Sequence, residues 1–296
     1  MNDRIREIQR VMDASSYVTD KEVATAVYLA TALQKPLLVE GHPGVGKTEI
    51  AKVLARVLET DLIRLQCYEG LDAAAALYEW NYPRQLLHLK LDEHSTAPLA
   101  EREQSLFSEA FLLKRPLLAA ITHPGKAPVL LIDEVDRADE EFEAFLLEVL
   151  SDFQVTIPEL GTIAARERPV VVLTSNRTRD LSEALRRRCL YLWIGYPGFD
   201  KEMAIVRARV PDLSERLARE LTAFLQSLRR LRLDKTPGVA ESLDWAMALV
   251  VLHASHLNED LIRDTMGCIL KDERDFQRLE GELAAGRLPA MLSVAG

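Results

Sequence analysis

The residues best equipped for chemistry stand together at Gly41, His42, Pro43, Gly44, Val45, Gly46, Lys47 and Thr48. Their spacing is that of a glycine-rich phosphate loop closed by a lysine and a hydroxyl. Backbone N–H groups of such a loop turn inward around a phosphate chain, and the helix that follows adds its positive N-terminal end. Lys47 is then expected to reach the β- and γ-phosphates, and Thr48 to set its hydroxyl on Mg²⁺. A second constellation is the apolar run Val129, Leu130, Leu131, Ile132 that ends in Asp133 and Glu134. An acid at such a tip can hold Mg²⁺ through its water shell, and its neighbour can polarise a water aimed at the γ-phosphate. A third is Thr174, Ser175 and Asn176, followed by Arg186, Arg187, Arg188 and Cys189. Asn176 is expected beside Asp133, where it could orient the attacking water. The arginines either complement a helix end or reach the γ-phosphate of a neighbouring subunit.

These side chains need a frame of strand, loop and helix. Pro36 to Glu40 reads as a short apolar strand that breaks at Gly41, and Ile50, Val53, Leu54, Val57 and Leu58 mark one buried face of a helix beginning at Lys47. Further strands are expected at 61–67, 128–133, 169–175 and 189–195, alternating with helical periods such as 140–150. That alternation is the pattern of an α/β fold, a mostly parallel sheet between helices. Residues 153–164 read as a hairpin projecting between two sheet strands. After Pro197 every segment reads as helix, with Leu213, Leu217, Leu221, Leu225 and Leu228 on one face. The expected division is therefore a nucleotide-binding core over 1–197, with an insertion near 68–100, and a helical lid over 198–296. Residues 286–296 are expected to be loosely ordered. His253 and His256 read as three apart on a helix, but with no third ligand nearby a metal role is disfavoured. Tyr78, Trp80 and Tyr82 either pack locally or offer an aromatic surface to a partner.

Composition narrows the classes. The 296 residues are 48% hydrophobic and 28% charged, a globular balance that excludes disordered and low-complexity chains. Lys and Arg total 37 against 46 Asp and Glu, a net charge of −9 that opposes a surface built for phosphate backbone. Cys67, Cys189 and Cys268 form no CxxC pair, which leaves neither a disulfide framework nor a zinc knuckle and fits a reduced cytosol. No apolar run approaches the roughly 18 residues of a membrane span.

Phosphate loop, Asp133-Glu134, Asn176 and arginine cluster, in this order and with a helical region behind them, resemble the AAA+ ATPases. Within these the chain looks most similar to the MoxR family, nearest its carbon monoxide dehydrogenase maturation type (CoxD). The closer likeness rests on residues 66–72, 78–82, 174–180 and 184–190, and the whole resemblance covers roughly residues 15–285. It implies a five-stranded parallel sheet with a helical lid and ATP bound between subunits of a ring, usually a hexamer. It further implies a client metalloenzyme, specifically a molybdenum hydroxylase, and an adaptor with a von Willebrand A domain. Gly41 to Thr48 would bind ATP, with Thr48 and Asp133 handling Mg²⁺. Glu134 would be the catalytic base and Asn176 the first sensor. Arg187 or Arg188 would be the arginine finger, with Arg188 preferred because it directly precedes a strand. One departure is Glu241, which stands where relatives often carry a second-sensor arginine and would repel a γ-phosphate. Two rivals use the same core: a nucleic-acid motor or clamp loader, and a nucleotide-switched assembly module with little turnover.

Overall fold

Five short runs pair side by side in the computed structural model, which describes residues 3–92 and 98–293. They are β1 (Leu37–Gly41), β2 (Leu62–Gln66), β3 (Val129–Asp133), β4 (Val170–Ser175) and β5 (Leu190–Ile194), in the sheet order β2-β3-β4-β1-β5. Every residue of β1 and β3 is buried, as a strand covered on both faces requires, whereas edge strand β5 alternates between buried and exposed and edge strand β2 is mostly half-buried. The pairings β2·β3, β3·β4 and β4·β1 are parallel. Glu40 lies opposite Ser175, Ile132 opposite Leu173, and Gln66 opposite Asp133. The C-terminal ends of β1, β3 and β4 therefore open at one edge of the sheet, and the sequence-expected strands agree with these bounds to within about a residue.

The chain divides into two compact units. The first comprises Met1–Ile5, Glu22–Glu40 and Ala51–Leu192, and the second Arg6–Lys21, Gly41–Ile50 and Trp193–Gly296. In the first, the core packs Leu130 and Ile132 of β3 and Val171 and Leu173 of β4 against Phe142, Leu146 and Val149 of α2 (Glu140–Asp152). Asp139 caps α2 by accepting from the Phe142 N–H at 2.8 Å, and Phe153 ends it in a left-handed conformation, φ 50°. A two-stranded hairpin follows, Gln154–Ile157 antiparallel to Gly161–Ala164, in the span expected for it. The insertion after β2 forms a second hairpin, Tyr78–Trp80 against Leu112–Lys114. Trp80 is buried there, its ring edge-on to Phe107 and Tyr78, while Tyr82 stays exposed. Residues 93–97 of that insertion, and residues 1–2 and 294–296 at the ends, lie outside the described residues.

The second unit is built on α4 (Glu215–Leu228) and α5 (Val239–Val251). Leu217, Leu221, Leu225 and Leu228 form the buried face of α4, joined by Phe224, whose ring meets Trp245 of α5 at 5.4 Å. Two expectations need correction. The helix carrying Trp245 stops at Val251, and His253 sits beyond it at φ 52°, so the two histidines do not share a helical face. Val251 and Leu252 are both exposed, leaving no packing to extend the helix. Within 286–296, residues Leu288–Met291 form a short helix whose Leu288 and Met291 are buried in the core, which orders a stretch expected to be loose.

Candidate nucleotide site

The loop that leaves β1 owes its shape to its glycines. Gly44 and Gly46 take φ values of 73° and 92°, in the left-handed region that disfavours a side chain. A Cβ on Gly41 would collide with the carbonyl oxygen of Ile194. Lys47 is buried and donates to the Gly41 and His42 carbonyls at 3.0 and 2.8 Å, so its ammonium lies along the loop it closes. Thr48 follows in the first turn of α1 (Lys47–Val57). The His42 ring stacks on Tyr196 at 4.6 Å and 5° and meets Trp193 edge-on at 5.6 Å, which gives this variable position a packing role.

The same unit clamps the loop from the helical side. Ala240 N–H donates to Gly44 O at 3.0 Å, and Gly238 packs so closely that a Cβ on it would lie 2.7 Å from the Pro43 carbonyl oxygen. Gly238 is held in turn by Arg229, which donates to the Pro237 carbonyl at 2.8 Å and forks onto Glu202 with two bonds of 2.6 Å. Glu241 reaches back to the Gly238 N–H at 2.8 Å, a helix-capping bond. The bond sets its charge at the N-terminus of α5, where the helix dipole favours an acid.

At the tip of β3 a second cluster forms within the first unit. Asp133 is buried; its Oδ1 accepts from the Thr174 hydroxyl at 2.5 Å, and its Oδ2 from Arg64 Nη2 at 2.5 Å and Nε at 3.0 Å. Glu134 adopts φ 55°, strain that a non-glycine residue bears only when its surroundings hold it. Those surroundings include the Thr174 Oγ1, which accepts the Glu134 N–H at 2.9 Å, the Arg137 guanidinium, which pairs with Oε2 at 3.3 Å, and two amides that fix the carboxylate. Asn176 Nδ2 donates to Glu134 Oε1 at 3.3 Å, and Gln66 Nε2 to Oε2 at 3.1 Å. The structure thus brings Asn176 to Glu134 and gives Asp133's hydroxyl contact to Thr174. Asp136, also buried, accepts from the backbone N–H groups of Asn176 at 3.2 Å and Thr178 at 2.8 Å and holds the sensor segment in place.

Arg64, Gln66 and Asp136 were not singled out by sequence reasoning. The signal for the first two was two polar residues at i and i+2 on a five-residue strand, which places both on one face; their partner depends on the register that sets Gln66 beside Asp133. Burial, with Asp133, Asp136 and Glu134 nearby, pushes the Cys67 thiol up to about 12, so it offers no thiolate to this cluster.

The three arginines separate. They lie on α3 (Glu183–Arg188), capped by Ser182. Arg186 turns inward to Glu40 at 3.8 Å and over the Tyr191 ring. Glu40 is buried immediately before the phosphate loop and also receives the Tyr191 hydroxyl at 3.0 Å and Arg177 at 3.7 Å. Arg188 donates to the Leu147 carbonyl and the Ser151 hydroxyl at the end of α2. Arg187 is 77% exposed and meets only the equally exposed Glu183 among the described contacts.

Cys189 supplies a pH test of the frame beneath this helix. Burial raises its thiol from 9 to about 12. The folded state then keeps the proton where the unfolded chain loses it, so stability present below pH 9 is lost as pH rises toward 12. Cys189→Ala is expected to flatten that decline by up to about 1.4 kcal/mol per pH unit, read from urea midpoints at pH 8 and 10.5. Equal slopes for both proteins would count against the burial.

A parallel sheet whose first strand runs into a lysine-closed glycine loop, with an acid pair at the tip of a strand two places away, defines a P-loop nucleotide-binding fold. The family model for the AAA domain (dynein-related subfamily) matches residues 36–189, and the chain belongs to that family of AAA+ ATPases. It is 24% identical to an uncharacterized protein of Staphylococcus epidermidis over 83% of this chain and 89% of that one. It is 26% identical to an uncharacterized protein of Staphylococcus haemolyticus over 85% and 90%. Among solved structures, two variants of RuvB from Thermotoga maritima superpose with TM-scores of 0.53 and 0.51, at 18% and 20% identity, covering 98% and 93% of this chain and 83% and 81% of theirs. At that identity the likeness is one of fold. No helix among the described residues is long and apolar enough to cross a membrane.

Proposed function

We propose that this chain hydrolyses ATP and couples the turnover to remodelling of a partner protein. The observation that carries the reading is Glu134, strained at the tip of β3 and held by Asn176 and Gln66, on the sheet edge where β1 runs into the phosphate loop. In this reading the loop N–H groups and Lys47 bind the phosphates. Glu134 takes the proton of the attacking water, and Asn176 fixes the carboxylate and the water together. The donor chemistry suits a divalent ion: Asp133 is a hard carboxylate beside a Cys67 thiol that stays protonated, and Thr48 brings a hydroxyl by its place in the loop motif. Asp133 and Thr48 would hold Mg²⁺, which would supply charge neutralisation for the phosphoryl oxygens.

The chain works here as a ring, a hexamer by its resemblance to MoxR proteins, with a neighbour's arginine completing each site. The contacts favour Arg187 over Arg188 as that finger. Arg188 is engaged within its own subunit, whereas Arg187 is held, among the described residues, by a surface pair worth at most about 1 kcal/mol. A molybdenum-containing metalloenzyme as client and an adaptor with a von Willebrand A domain rest on the MoxR and CoxD resemblance, and a cytoplasmic location on cysteines that form no CxxC pair. The net charge of −9 supports a protein client over nucleic acid.

The test is the ATPase rate per subunit against protein concentration. It is expected to rise as subunits associate and to stay unchanged on adding DNA. A rate that is flat through association would remove the shared site, and strong stimulation by DNA would replace the protein client with nucleic acid.

A further inference from the structure

Asp133 is a buried carboxylate with a solvent-facing cation attached. Its side chain is 3% exposed, whereas that of Arg64 is 51% exposed and reaches in from the edge strand β2. Both of the hydrogen bonds from Arg64 to Asp133 fall on one oxygen, Oδ2. A permanent pair in the same chain looks different. Arg229 and Glu202 are 7% and 0% exposed and joined fork to fork across both carboxylate oxygens. Arg64 can leave Asp133 by rotating into water, which Arg229 cannot do from Glu202.

We propose that Arg64 is a built-in competitor for the divalent cation at Asp133, and so sets how tightly the site takes metal. This rests on the nucleotide reading above. The guanidinium occupies lone pairs of the carboxylate assigned to the ion, and two cations at one buried anion repel each other. Metal binding therefore has to displace Arg64 or share Oδ2 with it. Arg64 also donates to Gln66 Oε1, and Gln66 holds Glu134 through its other end. The same displacement frees the Gln66 carbonyl, so metal arrival at Asp133 loosens the hold on the water-activating acid. Arg64 touches no reacting atom and acts as a positioning residue.

The experiment measures Mn²⁺ affinity by the electron paramagnetic resonance of free Mn²⁺, with a non-hydrolysable ATP analogue present, for wild type, Arg64→Gln and Arg64→Lys. Arg64→Gln is expected to bind Mn²⁺ about tenfold tighter, the gain reduced from the buried limit because the guanidinium is half in water. Arg64→Lys keeps the charge without the planar fork and is expected to fall between the two. It carries the test if the glutamine variant does not fold, since no tightening in the lysine variant would then overturn the proposal. Equal or weaker Mn²⁺ binding in Arg64→Gln would overturn it as well. Analogue affinity in EDTA separates the two readings. Unchanged analogue binding with unchanged Mn²⁺ affinity sinks the competitor alone, whereas a wild type that binds no analogue sinks the nucleotide site and the competitor with it.

Discussion

Glu134→Gln is expected to keep ATP bound while its hydrolysis falls by about 10²- to 10⁴-fold, the range for loss of a general base. Glutamine has the same shape and keeps an acceptor oxygen for one of the two amides, while the Thr174 hydroxyl still accepts the residue's N–H, so the strained tip of β3 has reason to persist. What it lacks is a lone pair basic enough to take a proton from water. The loop and Lys47 are untouched, so nucleotide affinity stays near that of wild type. Single-turnover hydrolysis beside equilibrium binding of ATP separates the two effects, and near-normal turnover would remove Glu134 as the base.

Arg187→Ala is expected to lower kcat by about 10³-fold, at the lower end for an arginine finger, with little change in thermal stability. Its exposed pair with Glu183 contributes almost nothing to the fold. Arg188→Ala is expected to do the reverse. It loses two hydrogen bonds to the end of α2, a destabilisation of about 1–3 kcal/mol, and its kcat falls far less. Measuring kcat and melting temperature for both variants decides between them. A large kcat loss in Arg188→Ala with a silent Arg187→Ala would exchange the roles.

These contrasts also mark where the sequence stops being readable. β1, β3 and β4 were legible because central strands of a parallel sheet are buried on both faces and read as unbroken apolar runs. The phosphate loop was legible because each of its residues is constrained locally: Gly44 and Gly46 by backbone angle, Gly41 by the Ile194 carbonyl. The clamp on the acid pair was not, since Arg64 and Gln66 lie 69 and 68 residues from the acids they hold, and only sheet register joins them. Glu241 shows the same limit in another form. Its charge next to a phosphate loop suggests repulsion, and its second role, a cap on a backbone N–H three residues away, shows only in the fold. The end of α5 at Val251 depends on missing tertiary contacts, which periodicity does not report.

The central claim is that each catalytic site draws on two subunits, Glu134 from one and Arg187 from the next. The most direct test mixes Glu134→Gln with Arg187→Ala, each nearly inactive alone, and follows ATP hydrolysis as subunits exchange. Head-to-tail rings assembled at random from equal parts contain about one quarter of interfaces with both an intact Glu134 and an intact arginine donor. Recovery toward that fraction of wild-type activity is the expected result. A mixture no more active than the sum of its parts, after exchange is complete, would contradict the shared site.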